Sequence, residues 1–134
     1  MTALVDTSVL VRYIARDVPS VDEAVESRID GTEPLTVTDI VLLETAYVLG
    51  SMYGYSRVQI LDALSDVLLH DNIEVAGIPA DIALQGLELC RQSGRVSFAD
   101  ALIWASARAA NRNTVVYSLD RRFPAQDIDL RHPA

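Results

Sequence analysis

Short apolar runs alternate along this chain with longer segments whose apolar residues recur at helical spacing. Helical segments are predicted at residues 6–17, 20–29, 39–50, 56–69 and 79–94, and a further one begins near Ser97. The short runs predict strands at residues 3–5, 34–38, 72–76, 114–118 and 128–130. Strands that alternate with helices favour an α/β fold, in which helices cover both faces of a mostly parallel sheet.

Two of the helical segments give more detailed expectations. Thr38 or Asp39 can cap the helix that follows the second strand, and Gly50 or Gly54 can end it. The next helix should pack on the core through one apolar face, which contains Val58, Leu61, Leu64, Val67 and Leu68.

Length and composition predict a single domain spanning residues 1–134. Half of the residues are apolar, which is enough for a buried core. The N-terminus lacks a basic region, and no apolar run approaches the roughly 18 residues of a membrane span. We therefore expect a soluble cytoplasmic protein without a membrane partner. The single cysteine, Cys90, lies in a helical pattern and is interpreted as a buried structural thiol.

Charge is distributed unevenly along the chain. Residues 1–90 have a net charge of −11 and residues 91–134 a net charge of +3, which together give −8. All 11 basic residues are arginines, so the chain cannot use a mechanism that needs a lysine side chain.

Four carboxylates are predicted to face one crevice. Asp6 follows the first strand and Asp120 follows the fourth, and ligands of parallel sheets bind outside the carboxyl ends of the strands. Glu44 and Asp100 each lie on a helix in line with apolar residues, so both are expected to point inward.

Each carboxylate also has an ordinary structural interpretation. Asp6 can be an N-cap, Asp100 can complete a capping box with Ser97, and Asp120 can be a turn residue. Glu44 can pair with an arginine or reach water at the edge of its helix.

Together, the four acids favour a metal site. Clustered carboxylates repel one another unless a cation lies among them, and oxygen ligands suit Mg²⁺, or alternatively Mn²⁺, better than zinc. His70 and His132 follow no ligand spacing and are interpreted as surface or chain-end residues. A metal-activated water at such a site suits hydrolysis of a phosphodiester.

Basic residues near Asp100 and Asp120 could guide a polyanion, or could be a solvated surface: Arg95, Arg108, Arg112, Arg121 and Arg122.

The segments "LVDTSVLVRYI", "VLLETAYVL", "SMYGYSRVQILDAL", "FADALIWASARA" and "VYSLDRRF" resemble PIN-domain ribonucleases, most closely the VapC toxins of toxin–antitoxin pairs. The resemblance covers essentially the whole chain. It implies a three-layer α/β/α fold, magnesium-dependent endonucleolytic cleavage of RNA, a homodimer, and inhibition by a small VapB-like antitoxin.

The resemblance also assigns residues by position. It places the acidic residues of the family on Asp6, Glu44, Asp100 and Asp120, of which Asp6 and Asp100 would be the main metal ligands. It places a supporting hydroxyl on Ser8. Ser118 stands where the family usually has threonine, an exchange that retains the hydroxyl.

Other functions remain open at this point. Receiver-like magnesium-binding signalling domains and haloacid-dehalogenase-like phosphatases also have an acidic pocket. Both classes use a lysine, which this chain does not contain, and a second acid close to the first, which is missing from "VDTS". A PIN-like fold without catalysis, acting only as a binding module, is the closer alternative.

Overall fold

The computed structural model describes residues 3–110 and 114–134. Its helices are α1 (Thr7–Ala15), α2 (Pro19–Ile29), α3 (Asp39–Ser51), α4 (Arg57–Leu68), α5 (Ala80–Gln92) and α6 (Phe98–Ala109). Its strands are β1 (Ala3–Leu4), β2 (Leu35–Thr38), β3 (Ile73–Ala76), β4 (Val115–Tyr117) and β5 (Asp129–Arg131). The chain divides into two compact units, Met1–Ala80 and Asp81–Ala134.

The first unit is built on a parallel sheet with strand order β1, β2, β3. Helix α1 contacts α2 and α3, and α3 also contacts α4. Side chains from α1, α2, β2, α3 and α4 are fully buried between the helices and the sheet, among them Leu10, Ile29, Val37, Leu49, Leu61 and Leu64. The sequence follows the βα order that a parallel sheet requires, because each parallel connection must cross back over the sheet.

Side-chain caps set where two helices of this unit begin. The Thr38 hydroxyl accepts a hydrogen bond from the backbone N–H of Val41, which confirms Thr38 as the cap of α3. At α4, Ser56 and Gln59 form a reciprocal capping box. Both arrangements satisfy N–H groups that the first turn of a helix leaves without partners.

The second unit pairs β4 with β5 in parallel and contains α5 and α6. Helices α5 and α6 approach closely at Gly86, where a Cβ atom would lie 3.0 Å from the Ala101 carbonyl oxygen. Trp104 is buried and donates its indole N–H to the Gln126 carbonyl at 2.8 Å. Cys90 is a buried thiol whose Sγ atom lies 3.8 Å from the Val96 carbonyl oxygen, which confirms its structural interpretation.

Two details differ from the sequence-based expectations. Helix α3 continues past Gly50 to Ser51, and Gly54 lies after its end with φ 68°. Val58 is 56% exposed although the sequence predicts it on the buried face of α4, because it lies in the first turn at one side of the apolar stripe.

Among the described residues, no helix has both the length and the hydropathy that crossing a bilayer requires.

His70 was interpreted as a surface or chain-end residue, and this interpretation is wrong. Its ring is partly buried, its Nε2 atom lies 2.9 Å from Asp30 Oδ1, and its Nδ1 atom lies 2.8 Å from the Asp66 carbonyl oxygen. The Tyr13 hydroxyl donates to the same Asp30 oxygen at 2.6 Å. The cluster of Tyr13, Asp30 and His70 therefore links α1, the end of α2 and the turn after α4.

Candidate active site

Asp6 lies two residues after Leu4, the last residue of β1, so it follows the carboxyl end of the first strand as predicted. The residue occupies the N-cap position of α1, but its side chain makes no capping hydrogen bond. Instead, Asp6 Oδ2 accepts a hydrogen bond from the Ser8 hydroxyl at 2.8 Å. This bond, followed by one from the backbone N–H of Thr7, lowers the pKa of Asp6 below its ordinary value. Asp6 is therefore an exposed, ionised carboxylate that Ser8 holds in one orientation.

Glu44 belongs to the same unit, but the prediction that its helix face turns inward is wrong. Glu44 is exposed, and its neighbours on that face, Ile40 and Tyr47, are each 72% exposed. The buried face of α3 is instead formed by Leu42, Thr45, Ala46 and Leu49. Nearly every position of α3 is apolar, so periodicity could not distinguish its two faces. Glu44 reaches water and pairs with no arginine among the described residues.

Asp100 is the third residue of α6, in the second unit. Ser97 caps the helix by accepting a hydrogen bond from the Asp100 backbone N–H at 3.0 Å. Within the described chain the Asp100 carboxylate has no hydrogen-bond or ion-pair partner, so the reciprocal half of a capping box is absent. The side chain is partly exposed rather than pointing fully inward, and Ile103 one turn later is also exposed.

Asp120 follows β4 and begins a tight turn. Its Oδ1 atom accepts a hydrogen bond from the Arg122 backbone N–H at 2.8 Å, so it does act as a turn residue. The Ser118 hydroxyl accepts from the Asp120 backbone N–H at 3.0 Å, which fixes the carboxylate relative to the end of the strand. Asp120 is exposed, and its Oδ2 atom accepts no hydrogen bond from another described residue.

The arginines of the second unit differ in their environments. Arg108 lies over the Trp104 ring, with its Nε atom 3.9 Å from Asp127. In contrast, Arg95, Arg121 and Arg122 are exposed and form no ion pair with any residue that the structure describes. Arg112 lies outside the described residues. Three of the predicted polyanion contacts therefore have free guanidinium groups.

The two units contain two of the predicted acids each: Asp6 and Glu44 in the first, Asp100 and Asp120 in the second. Within neither unit do the described residues bring together three or more His, Cys, Asp or Glu side chains that could hold a metal ion.

Comparison with known protein families decides the class of this chain. The PIN domain family matches residues 3–128, a segment that spans both units and contains all four acids. The chain belongs to the PIN domain family. None of the curated proteins matches it. PIN domains are generally nucleases and commonly use divalent metal ions, and their α/β fold with a parallel sheet is the class that the sequence predicted.

The sequence interpretation missed one exposed side chain that lies near Asp120 along the chain of this PIN domain. Tyr117 is the last residue of β4 and lies three positions before Asp120, yet its side chain is 64% exposed. An aromatic residue that ends an apolar strand pattern looks like a core residue in sequence. Only its exposure identifies it as a surface group next to Ser118 and Asp120.

Proposed function

We propose that this PIN domain is a metal-dependent endoribonuclease that acts as the toxin of a toxin–antitoxin pair. The family match across residues 3–128 supports the nuclease class. The observation that favours catalysis is the Ser8–Asp6 hydrogen bond, which holds an ionised, solvent-accessible carboxylate at the end of a parallel strand. A carboxylate with only a structural role would instead accept a helix-capping hydrogen bond or form an ion pair.

The four acids have the donor chemistry that Mg²⁺ or Mn²⁺ requires. Asp6 is ionised, the Asp100 carboxylate has no described partner, and Asp120 keeps one oxygen free. In our proposal Asp6 and Asp100 are the main metal ligands, while Glu44 and Asp120 complete the set directly or through water. A bound divalent cation supplies an acidified water and neutralises charge on the phosphodiester.

Residues of the chain are proposed to accept the proton of the attacking water and to hold the acids in position. One of the four carboxylates takes the proton of the attacking water, and the hydroxyls of Ser8 and Ser118 keep Asp6 and the Asp120 turn in place. Without a cation, these acids would repel the phosphate, so cleavage should require added metal.

Arg95, Arg121 and Arg122 are proposed to contact the RNA backbone, and Arg112 belongs to the same proposal by its position in the sequence. Free, exposed guanidinium groups attract phosphates by charge and do not distinguish one RNA base sequence from another. Replacing Arg121 and Arg122 by alanine should weaken binding of unrelated RNAs to a similar degree and reduce the salt dependence of binding. An unchanged salt dependence would exclude these two residues from the RNA interface.

The proposed partners are a second copy of the chain and a VapB-like antitoxin, in the cytoplasm. Support comes from large apolar side chains that α3 and the start of α4 leave in water: Ile40, Tyr47, Met52 and Val58. Surfaces of this kind are common at protein–protein interfaces.

The test is to incubate the purified chain with total cellular RNA, with and without Mg²⁺, beside two variants. Asp100→Asn removes a proposed metal ligand, and Asp81→Asn is the matched control because Asp81 is an exposed acid in the first turn of α5. We expect discrete fragments that require Mg²⁺, disappear in Asp100→Asn and persist in Asp81→Asn. Equal cleavage by Asp100→Asn would exclude the assigned residues. Absence of any cleavage would favour a non-catalytic binding module.

A further inference from the structure

Tyr117 forms part of an exposed surface on the β4–β5 sheet. Tyr117 and Arg131 are paired in the parallel register, so their side chains lie side by side on one face. Both are exposed. Asp129 lies on the same face and binds the Arg131 guanidinium through two hydrogen bonds, from Nε at 3.1 Å and from Nη2 at 2.8 Å. We call this surface of Tyr117, Asp129 and Arg131 the Tyr117 face.

The chemistry of the Tyr117 face suits a planar ligand better than a phosphate. Asp129 neutralises Arg131 and holds its guanidinium in a fixed plane, so this arginine offers a flat surface more than a free charge. The phenol ring beside it is amphipathic and has few rotatable bonds to immobilise on binding. Aromatic rings and arginine planes are the groups on which unpaired bases stack in RNA-binding proteins.

The position of this face relates it to the proposed active site. Tyr117 precedes Asp120 by three residues, which limits the separation of their backbones to about 10 Å. The Ser118 backbone N–H donates to the Arg131 carbonyl at 3.1 Å, so the segment leading to Asp120 is anchored to β5. The turn after Asp120 presents Arg121 and Arg122, which are exposed and form no ion pair with described residues.

We propose that the Tyr117 face stacks an unpaired base of a single-stranded RNA whose backbone contacts Arg121 and Arg122. This inference rests on the proposed ribonuclease function and adds to it a stacking surface and a residue that positions the substrate. A duplex hides the faces of its bases, so it cannot use Tyr117 in this way. Charge complementarity between the RNA backbone and the free arginines favours RNA over a neutral or basic protein partner, and the planar groups of the Tyr117 face favour a partner with exposed bases.

The test measures RNA binding in the cleavage-deficient Asp100→Asn background, by fluorescence anisotropy of a labelled single strand and of the same strand in a duplex. Replacing Tyr117 by alanine or leucine removes the planar ring, whereas phenylalanine keeps it. Leu69→Ala is the control, because it truncates an exposed apolar side chain in the other unit.

We expect Tyr117→Ala and Tyr117→Leu to weaken single-strand binding by about 5- to 100-fold, the range that loss of one stacked base gives. Tyr117→Phe and the control should bind as the parent does, and duplex binding should not change. In the active enzyme, Tyr117→Ala should raise KM more than it lowers kcat.

Two results would overturn this inference. Single-strand binding that is unchanged in Tyr117→Ala and Tyr117→Leu would exclude stacking, even if the wild-type chain cleaves RNA, and the ribonuclease proposal would then survive alone. If the wild-type chain neither binds nor cleaves any RNA, both proposals fail together.

Discussion

Loss of the His70 proton should make the first unit less stable as the pH rises above neutrality. The Asp66 carbonyl can only accept, so Nδ1 must carry a proton, and an ionised Asp30 requires a second proton on Nε2. Burial alone lowers the pKa of His70, but hydrogen bonds to Asp30 and to the Asp66 carbonyl outweigh it, and the pKa is raised above its ordinary 6.5. The imidazolium form is therefore the one that the folded chain prefers.

The sign of the pH dependence follows from this direction. Because the folded pKa of His70 exceeds the unfolded one, its stabilisation is complete below about pH 6.5 and is lost as the pH rises through the folded value. Other charged groups near the cluster are Arg16, Glu26 and Asp66. The pKa of Tyr13 is raised, first by burial and then by Asp30, to about 12, so Tyr13 stays neutral over this range.

The size of the effect can be judged from the two hydrogen bonds of the charged ring. A hydrogen bond to a charged group contributes about 1.5–3 kcal/mol, and the partial exposure of this cluster puts the pair at about 1–2 kcal/mol in total. His70→Gln should therefore lower the melting temperature by about 3–8 °C at pH 6 and by clearly less at pH 8.5. His132→Gln is the control, since His132 is exposed near the end of the chain.

The assay is thermal or urea unfolding of the wild type and both variants from pH 5.5 to 8.5. NMR titration of the two histidines gives an independent measure of the His70 pKa. Curves for wild type and His70→Gln that stay parallel over the whole pH range would refute the charged Asp30–His70 pair. A His70 resonance that titrates below 6.5 would refute it as well.

Three further substitutions test other contacts. Gly77 has φ 94°, and a Cβ there would lie 2.6 Å from the Asp39 carboxylate, so Gly77→Ala should cost at least about 2 kcal/mol in the free energy of unfolding; an unchanged urea midpoint would contradict this. Ser8→Ala should reduce RNA cleavage about tenfold or more by releasing Asp6, and Ser8→Thr should restore it; full activity of Ser8→Ala would show that the hydroxyl is dispensable. The buried Thr45 hydroxyl has no hydrogen-bond partner among the described residues, so Thr45→Val should stabilise the chain by about 1 kcal/mol, whereas a lower melting temperature would indicate a partner.

Local chemistry made much of the fold predictable. The caps at Thr38 and Ser97 and the short strand that precedes Asp6 depend on residues within a few positions of one another, so they can be predicted from sequence. The positions of Asp6 and Asp120 after their strands were predicted correctly for the same reason.

The wrong predictions concern features that the local sequence pattern does not determine, such as which side of a helix is exposed and which distant residues are in contact. Helix α3 is apolar on nearly all sides, so its sequence could not show that Glu44 faces water. The His70 cluster joins residues 40 and 57 positions apart, a contact that depends on how three helices pack. Whether the four acids bind one ion depends in the same way on parts of the chain that are distant in sequence.

The most direct test of the proposed metal site is a titration of the chain with Mn²⁺, in which electron paramagnetic resonance measures the free ion. The variants are Asp6→Asn, Asp100→Asn and the control Asp81→Asn. Loss of binding in both Asp6→Asn and Asp100→Asn, with normal binding in Asp81→Asn, is the predicted result, because both acids are proposed ligands of the catalytic metal. Wild-type affinity in both variants would contradict the proposed site, whatever the family of the chain.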